Sequence, residues 1–343
     1  MVAQITTAPP SGAQGPRTVD QSRNTVPDVV ACVEFGQNSR SLILHARAVA
    51  EALGAGMVLA SVIESPEGEL QAIDPVDWAI RRREYEAQLV ALAAEVGSES
   101  FPVKSRLLEG QPTDQICRCV NEGRHEILAL SRHSGRGHWR ASVVAGSAMM
   151  SGVGAIFMVP DEAPEVPPAG YRKILVPLDG SPRAESAIPR AAQLAQAKGA
   201  ELVLVHVIPE PVLTETGPAD PETIKLRDKI AKRNRAVASD YLDRVRDRLK
   251  DCDIPVATKL IAGGDTRRAL IEAISQEAVD IVVMASHGQS SHADVATGNV
   301  ADFLLDRSAV PVLIVRQPRR KTDDHITRDM RSQGLRHPVD LGK

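Results

Sequence analysis

Ser286, His287, Gly288, Gly298 and Asn299 have the residue types and spacing to hold a phosphate. The run Ile281-Val282-Val283-Met284-Ala285-Ser286-His287-Gly288 is apolar and β-branched, then ends in small residues, which reads as a buried strand feeding a loop. After a gap of nine residues the loop closes on Gly298-Asn299, just before the helix-like stretch Val300-Ala301-Asp302-Phe303-Leu304-Leu305. Small residues let backbone N–H groups approach an anion, and a helix N-terminus adds favourable partial charge. The chemistry implied is phosphate binding, and it points to a nucleotide. His287 has no suitably placed acid or nucleophile beside it and reads as a residue that orders the loop or stands next to a phosphate.

A second candidate loop is Asp179-Gly180-Ser181. The carboxylate of Asp179 could hold a divalent cation bridging phosphates, could hydrogen-bond a ribose, or could simply order its own turn. Two other nucleotide signatures are missing. No Gly-x-x-x-x-Gly-Lys-Ser/Thr run occurs, and Gly54-x-Gly56 precedes a strand and lacks the third glycine of a dinucleotide fingerprint.

The elements that must position these loops occur twice. Ile174-Leu175-Val176-Pro177-Leu178-Asp179 repeats Val29-Val30-Ala31-Cys32-Val33-Glu34 at an offset of 174 − 29 = 145. Gly199-Ala200-Glu201-Leu202-Val203-Leu204-Val205-His206-Val207 repeats Gly54 to Val62 at the same offset. In the second copy the expected strands are Lys173 to Leu178, Glu201 to Val207, Val256 to Ile261, the Ile281 run, and Val312 to Val315. Ser181 as N-cap and Pro182 as first residue open a helix through Ala184, Ala187, Ile188, Ala191, Ala192 and Leu194. A long charged helix should bury Ile230, Val237, Tyr241, Leu242, Val245 and Leu249, and Thr266 is the expected cap of a later one. Strands alternating with helices give an α/β fold: two tandem open five-stranded parallel sheets with helices on both faces. Such sheets bind ligands beyond the C-terminal ends of their strands.

The domain boundaries follow from composition. Residues 1–26 lack an apolar period and are expected to be a disordered tail. The first domain spans 27–161, a Pro-rich linker 162–170, the second domain 171–317, and a polar tail carrying Arg319-Arg320-Lys321 near its start covers 318–343. With 3% aromatics, the core must be made of Val, Ile, Leu and Ala. The net charge of -3 gives no reason to expect a nucleic-acid partner. No apolar stretch of 18 or more residues suggests a membrane span, and Val143 to Val159 is broken by glycines. Cys32, Cys117, Cys119 and Cys252 have neither metal nor disulfide spacing, which suits a reducing, cytoplasmic location.

Together, Ile174 to Ser181, His206-Val207-Ile208, Ala285-Ser-His-Gly288-x9-Gly298-Asn299 and Val310 to Val315 resemble the universal stress protein family in its tandem form. The resemblance covers residues 27 to 317, more specifically in the second copy. It implies an adenine-nucleotide α-hydrolase-type fold and, in the ATP-binding branch, a Gly-x-x-Gly-x9-Gly-Ser/Thr loop. Gly288 and Gly298 match this pattern, while Ala285 replaces the first glycine and Asn299 the hydroxyl residue. The site implied comprises Pro177, Asp179, Val207, Met284, Ala285, Gly288, Gly298, Asn299 and Val300. Val207 would meet the adenine through its backbone and Met284 would lie against the nucleoside. Asp179 would stand near ribose, phosphate or nucleotide-bound Mg.

The first copy departs further from this pattern. Glu34 stands in the place of Asp179, followed by Phe35-Gly36-Gln37-Asn38-Ser39. Its later loop, Leu130 to His138, leaves eleven residues between Ser134 and Gly146 and ten between Gly135 and Gly146, and neither gap is nine. Arg136, His138 and Arg140 could still attract an anion. The resemblance further implies antiparallel pairing of the fifth strands, Ile156 to Val159 with Val312 to Val315, and leaves a homodimer open. The function implied is a stress-response regulator binding ATP, with an empty-site interaction scaffold or a slow ATP-hydrolysing enzyme as alternatives. Neither copy has the Ser-Gly-Gly-x-Asp-Ser loop expected of an adenylating enzyme.

Overall fold

The computed structural model describes residues 28–34, 39–64, 74–123, 126–132, 141–167, 170–208, 221–288 and 297–316. The two tails, the turn at 35–38 and the loop carrying Arg136, His138 and Arg140 lie outside the described residues. The first half runs β1 (Asp28–Cys32), α1 (Arg40–Leu53), β2 (Gly56–Ile63), α2 (Pro75–Val96), β3 (Val103–Glu109), α3 (Pro112–Gly123), β4 (Ile127–Arg132), α4 (Ala141–Ser151) and β5 (Ala155–Pro160). The second runs β6 (Lys173–Pro177), α5 (Pro182–Glu185), α6 (Ile188–Lys198), β7 (Glu201–Ile208), α7 (Pro221–Arg248), β8 (Val256–Ala262), α8 (Thr266–Gln276), β9 (Ile281–Ala285), α9 (Asn299–Arg307) and β10 (Val312–Val315).

All ten strands form one sheet in the order β3-β2-β1-β4-β5-β10-β9-β6-β7-β8. Each half is parallel within itself and has the same internal order, third-second-first-fourth-fifth. The halves join where β10 pairs antiparallel with β5, from Val312 opposite Met158 to Val315 opposite Ala155. The pairing of the fifth strands is therefore present, and it turns two five-stranded layers into a single sheet.

Side chains alternate across a strand, so a sheet covered on both faces needs apolar residues at successive positions. Val29 and Ala31 pack into one core with α1, α2, α6 and α7, while Val30 and Cys32 pack into the opposite core with α3, α4, α8 and α9. Both cores run through both halves. The apolar segment Val143 to Val159 divides between α4 and β5, and no described helix is long and apolar enough to cross a membrane. The four cysteines are unbridged. Burial pushes the thiols of Cys32, Cys117 and Cys119 up, away from the reactive thiolate.

Three local expectations are corrected. The helix expected to continue from Pro182 through Leu194 breaks into α5 and α6, because Pro189 has no N–H to return to the carbonyl four residues earlier. Asp265, not Thr266, caps α8, its carboxylate accepting from the N–H groups of Arg267 and Arg268. On α7 the buried stripe is Ala238, Leu242 and Val245, continued by Leu249 just past its end, while Val237 is 57% exposed. Ala238 is four residues before Leu242 and shares its face, whereas Val237 is turned away by a further 100°.

The linker is held down at His45 in α1. Its Nε2 donates to the carbonyl of Pro164 at 2.9 Å, so Nδ1 is left to accept from the Tyr171 hydroxyl, also at 2.9 Å. Burial lowers the imidazole pKa from its ordinary 6.5, opposed by the Pro164 carbonyl and by Asp280. The unfolded chain therefore takes up this proton first as pH falls. Stability is fully present above about 6.5 and declines from there towards the lower folded-state pKa. His45→Phe is expected to be less stable near neutral pH but to show a flatter decline below it, measurable by urea unfolding across a pH series. For the junction itself, Phe157 in β5 is wholly buried opposite Leu313. Phe157→Ala should lower the unfolding free energy by about 3–5 kcal/mol in the same assay.

Candidate functional site

In an open sheet of this order, the first and fourth strands of a half send their following connections to opposite faces, leaving a crevice at their C-terminal ends. In the second half these strands are β6 and β9, paired at Ile174–Ile281 and Leu175–Val282. Asp179 and Gly288 lie just beyond their ends, and the two loops meet. A Cβ placed on Gly288 would fall 2.2 Å from Asp179 Oδ2, so only glycine lets this backbone lie against the carboxylate.

Asp179 also orders its own turn. Its Oδ1 accepts from the Ser181 N–H at 2.9 Å and from the Ser181 hydroxyl at 2.6 Å. The Ser181 oxygen in turn accepts from the N–H of Ala184 and caps α5. Gly180 between them has a φ of +85°, which a residue with a Cβ rarely adopts. One carboxylate oxygen thus fixes the loop and the other faces Gly288.

The glycine loop has a fixed exit. Ser286 is buried; its N–H donates to Val315, and its carbonyl accepts from the N–H of Gly298 at 2.8 Å. Its hydroxyl meets His287 Nδ1 at 3.0 Å, which ties His287 into the loop. Gly298 is buried and is the N-cap of α9, with no side-chain cap among the described residues. Asn299, exposed, and Val300 are the first two residues of the helix, whose opening N–H groups have no partner of their own inside it. The Thr297 hydroxyl donates to the Asp302 carboxylate across this first turn.

The remaining expected residues line the strand ends. Met284 and Ala285 are buried on β9, Val207 is buried near the end of β7, and Pro177 ends β6. His206 donates from Nδ1 to the carbonyl of Leu178 at 2.8 Å, pinning β7 to the start of the Asp179 loop. Among the described residues, no group of three or more His, Cys, Asp or Glu side chains is arranged to hold a metal ion. Sequence reading missed Ser286 as the anchor of the loop. It also missed Tyr241, whose ring meets that of His206 edge-on with centroids 6.0 Å apart. Burial, then Glu185, raises the Tyr241 pKa, so this phenol stays protonated.

The first half differs at the same place. The offset of 145 puts Ser61 where His206 stands, and the buried stripes of α2 and α7 (Leu89 and Ala93 against Ala238 and Leu242, 238 − 89 = 149) put Leu92 where Tyr241 stands. Two large rings are thus replaced by small or aliphatic side chains. A half-open cavity of about 360 Å³ lies here, bordered by Val33, Glu34, Ile43, Leu92 and Val96.

A doubly covered sheet with this strand order and two loops meeting at its crevice defines a Rossmann-like α/β protein. The profile of the universal stress protein family matches residues 170–316. A universal stress protein of Thermus aquaticus is 30% identical over 147 residues, 43% of this chain and 99% of that one. One from Mycobacterium tuberculosis is 23% identical over 249 residues, 71% of this chain and 81% of that one. The crystal structure of a universal stress protein from Archaeoglobus fulgidus shares the fold with a TM-score of 0.54 at 15% identity, across 84% of this chain and 96% of that one. The chain belongs to the universal stress protein family.

The contact between the two loops is testable without a ligand. Gly288→Ala would push Asp179 aside and break its two bonds to Ser181, lowering stability by about 1–2 kcal/mol. In an Asp179→Ala background the same change should cost almost nothing. A double-mutant cycle followed by urea unfolding measures the difference.

Proposed function

We propose that the second half binds an adenine nucleotide, with ATP the foremost candidate, and that the chain serves as a nucleotide-responsive regulator in a stress response. The observation that carries this reading is the meeting of Asp179 with Gly288 beside the N-terminus of α9. Gly288 lets its backbone lie directly against the Asp179 carboxylate, and bare backbone of this kind is also what close approach to a phosphate requires. On this reading the opening N–H groups of α9, those of Asn299 and Val300, hold phosphate oxygens, and Gly288 lines the approach. The backbone of Val207 addresses the base, Met284 packs against the nucleoside, and Pro177 and Ala285 shape the floor. Asp179 stands closest to the ribose or to a nucleotide-bound Mg. A bound nucleotide supplies the negative charge that the helix terminus and loop amides are arranged to receive.

Two features of the chain support binding over turnover. Asp179 Oδ1 is taken up by the N–H and hydroxyl of Ser181, and the Ser286 hydroxyl that meets His287 is buried, so this serine is not presented to a substrate as a nucleophile. Ala285 retains the backbone N–H that a glycine would present. Asn299 retains a polar side chain in the first turn.

Protein purified and then denatured should release intact ATP or another adenine nucleotide, identified by chromatography. Recovery of ADP with measurable turnover would instead support the enzyme reading, and a chain that neither carries nor takes up nucleotide would support the scaffold. Gly298→Val, which puts a branched side chain at a buried helix entry, should weaken ATP binding by more than about tenfold, a loss of one good charge-assisted contact or more. Unchanged affinity in titration calorimetry would mean that the loop has been misassigned.

A further inference from the structure

We propose that Arg132, a residue of the first half, is a positioning residue for the candidate phosphate site of the second. Arg132 ends β4, beside Pro160 of β5. Its guanidinium reaches across the junction and donates to the carbonyl of Leu305 at 3.1 Å and to that of Ser308 at 2.7 Å. These carbonyls belong to the C-terminal end of α9, and Gly298 and Asn299 stand at its other end.

A helix leaves its last carbonyls without partners inside itself. At the end of α9 water is poorly placed to satisfy them, because Leu305 and Ser308 are both buried, Ser308 completely. Arg132 takes that role from outside the half, and a cation there also matches the sign of the helix dipole. Burial draws the guanidinium pKa down, countered by Asp306 and Asp161, but a group that starts so far above neutrality keeps its charge.

α9 has nine residues and is about 13 Å long, so it moves as a short rod. Its N-terminal end is set by the Gly298 N–H on the Ser286 carbonyl. Its C-terminal end is held by Arg132 together with the buried Leu304 and Leu305 and the Ser308 turn, whose hydroxyl donates to the Val310 carbonyl. Releasing one end lets the rod pivot, and the opening N–H groups then lose their fixed relation to Gly288 and Asp179. The arrangement is not repeated in reverse. The sheet register equates Ile127 with Ile281, an offset of 154, so the position of Arg132 is held in the second half by Ser286 (132 + 154 = 286), which has no guanidinium to extend.

This inference rests on the N-terminus of α9 being the phosphate site, and its test separates the two. ATP and adenosine are titrated into the full chain, into Arg132→Ala and Arg132→Lys, and into Gly298→Val as the site control. Arg132→Ala should bind ATP about tenfold more weakly while adenosine affinity changes less than about twofold, because α9 addresses only the phosphates. Arg132→Lys, able to satisfy one carbonyl, should fall between, and it carries the test alone should the alanine variant fail to fold. Wild-type ATP affinity in both Arg132 variants, with affinity lost in Gly298→Val, would overturn the role of Arg132 and leave the site standing. Equal weakening for ATP and adenosine would also overturn it, as general loosening rather than phosphate positioning. A wild-type chain that binds no ATP would overturn the site and this role together.

Discussion

Four antiparallel residue pairs between β5 and β10 hold the molecule together as one object. Each of these strands would otherwise be the open edge of its own half, with a row of unpaired N–H and carbonyl groups. Pairing them satisfies that row and lets both cores continue through the junction, with Phe157 and Leu313 on one face and Ile156 and Ile314 on the other. The other contacts between the halves depend on the resulting register. The Arg190–Glu126 ion pair, the Arg132 bonds to α9 and the clamp of His45 on Pro164 and Tyr171 all require the halves to be placed this way.

The same pairing separates the two candidate sites. Parallel strands within each half point their C-terminal ends to one rim, and antiparallel pairing at the junction makes those rims opposite. The crevice holding Asp179 and Gly288 therefore opens away from the crevice that begins at Glu34. The two have diverged in keeping with that independence. His206 and Tyr241 fill one flank of the second site, while a cavity lies beside Leu92 in the first.

Much of this was legible in the sequence because it is local or repeated. Strand and loop types around Gly288 and Gly298 follow from a few neighbouring residues, and the 145-residue repeat doubled the signal for the fold. The errors came where neighbouring residues compete. Asp265 and Thr266 can both cap a helix, and the carboxylate won by reaching two N–H groups. Val237 is more apolar than Ala238, yet the phase set by Leu242, Val245 and Leu249 put the smaller residue inside. Pro189 broke a helix whose apolar spacing was otherwise unbroken. Arg132 could not be found by any such reading, since its partners are 173 and 176 residues away and are backbone carbonyls with no side-chain signature.

The inequality between Arg132 and Ser286 has a consequence for how such a chain can evolve. When two identical subunits pair, each substitution is made twice, and a residue cannot become a long cation on one side while staying a small hydroxyl on the other. Fusing the copies into one polypeptide removes that constraint. One copy is then free to carry a long cation where the other keeps a small hydroxyl, so that a contact across the junction is made once rather than twice.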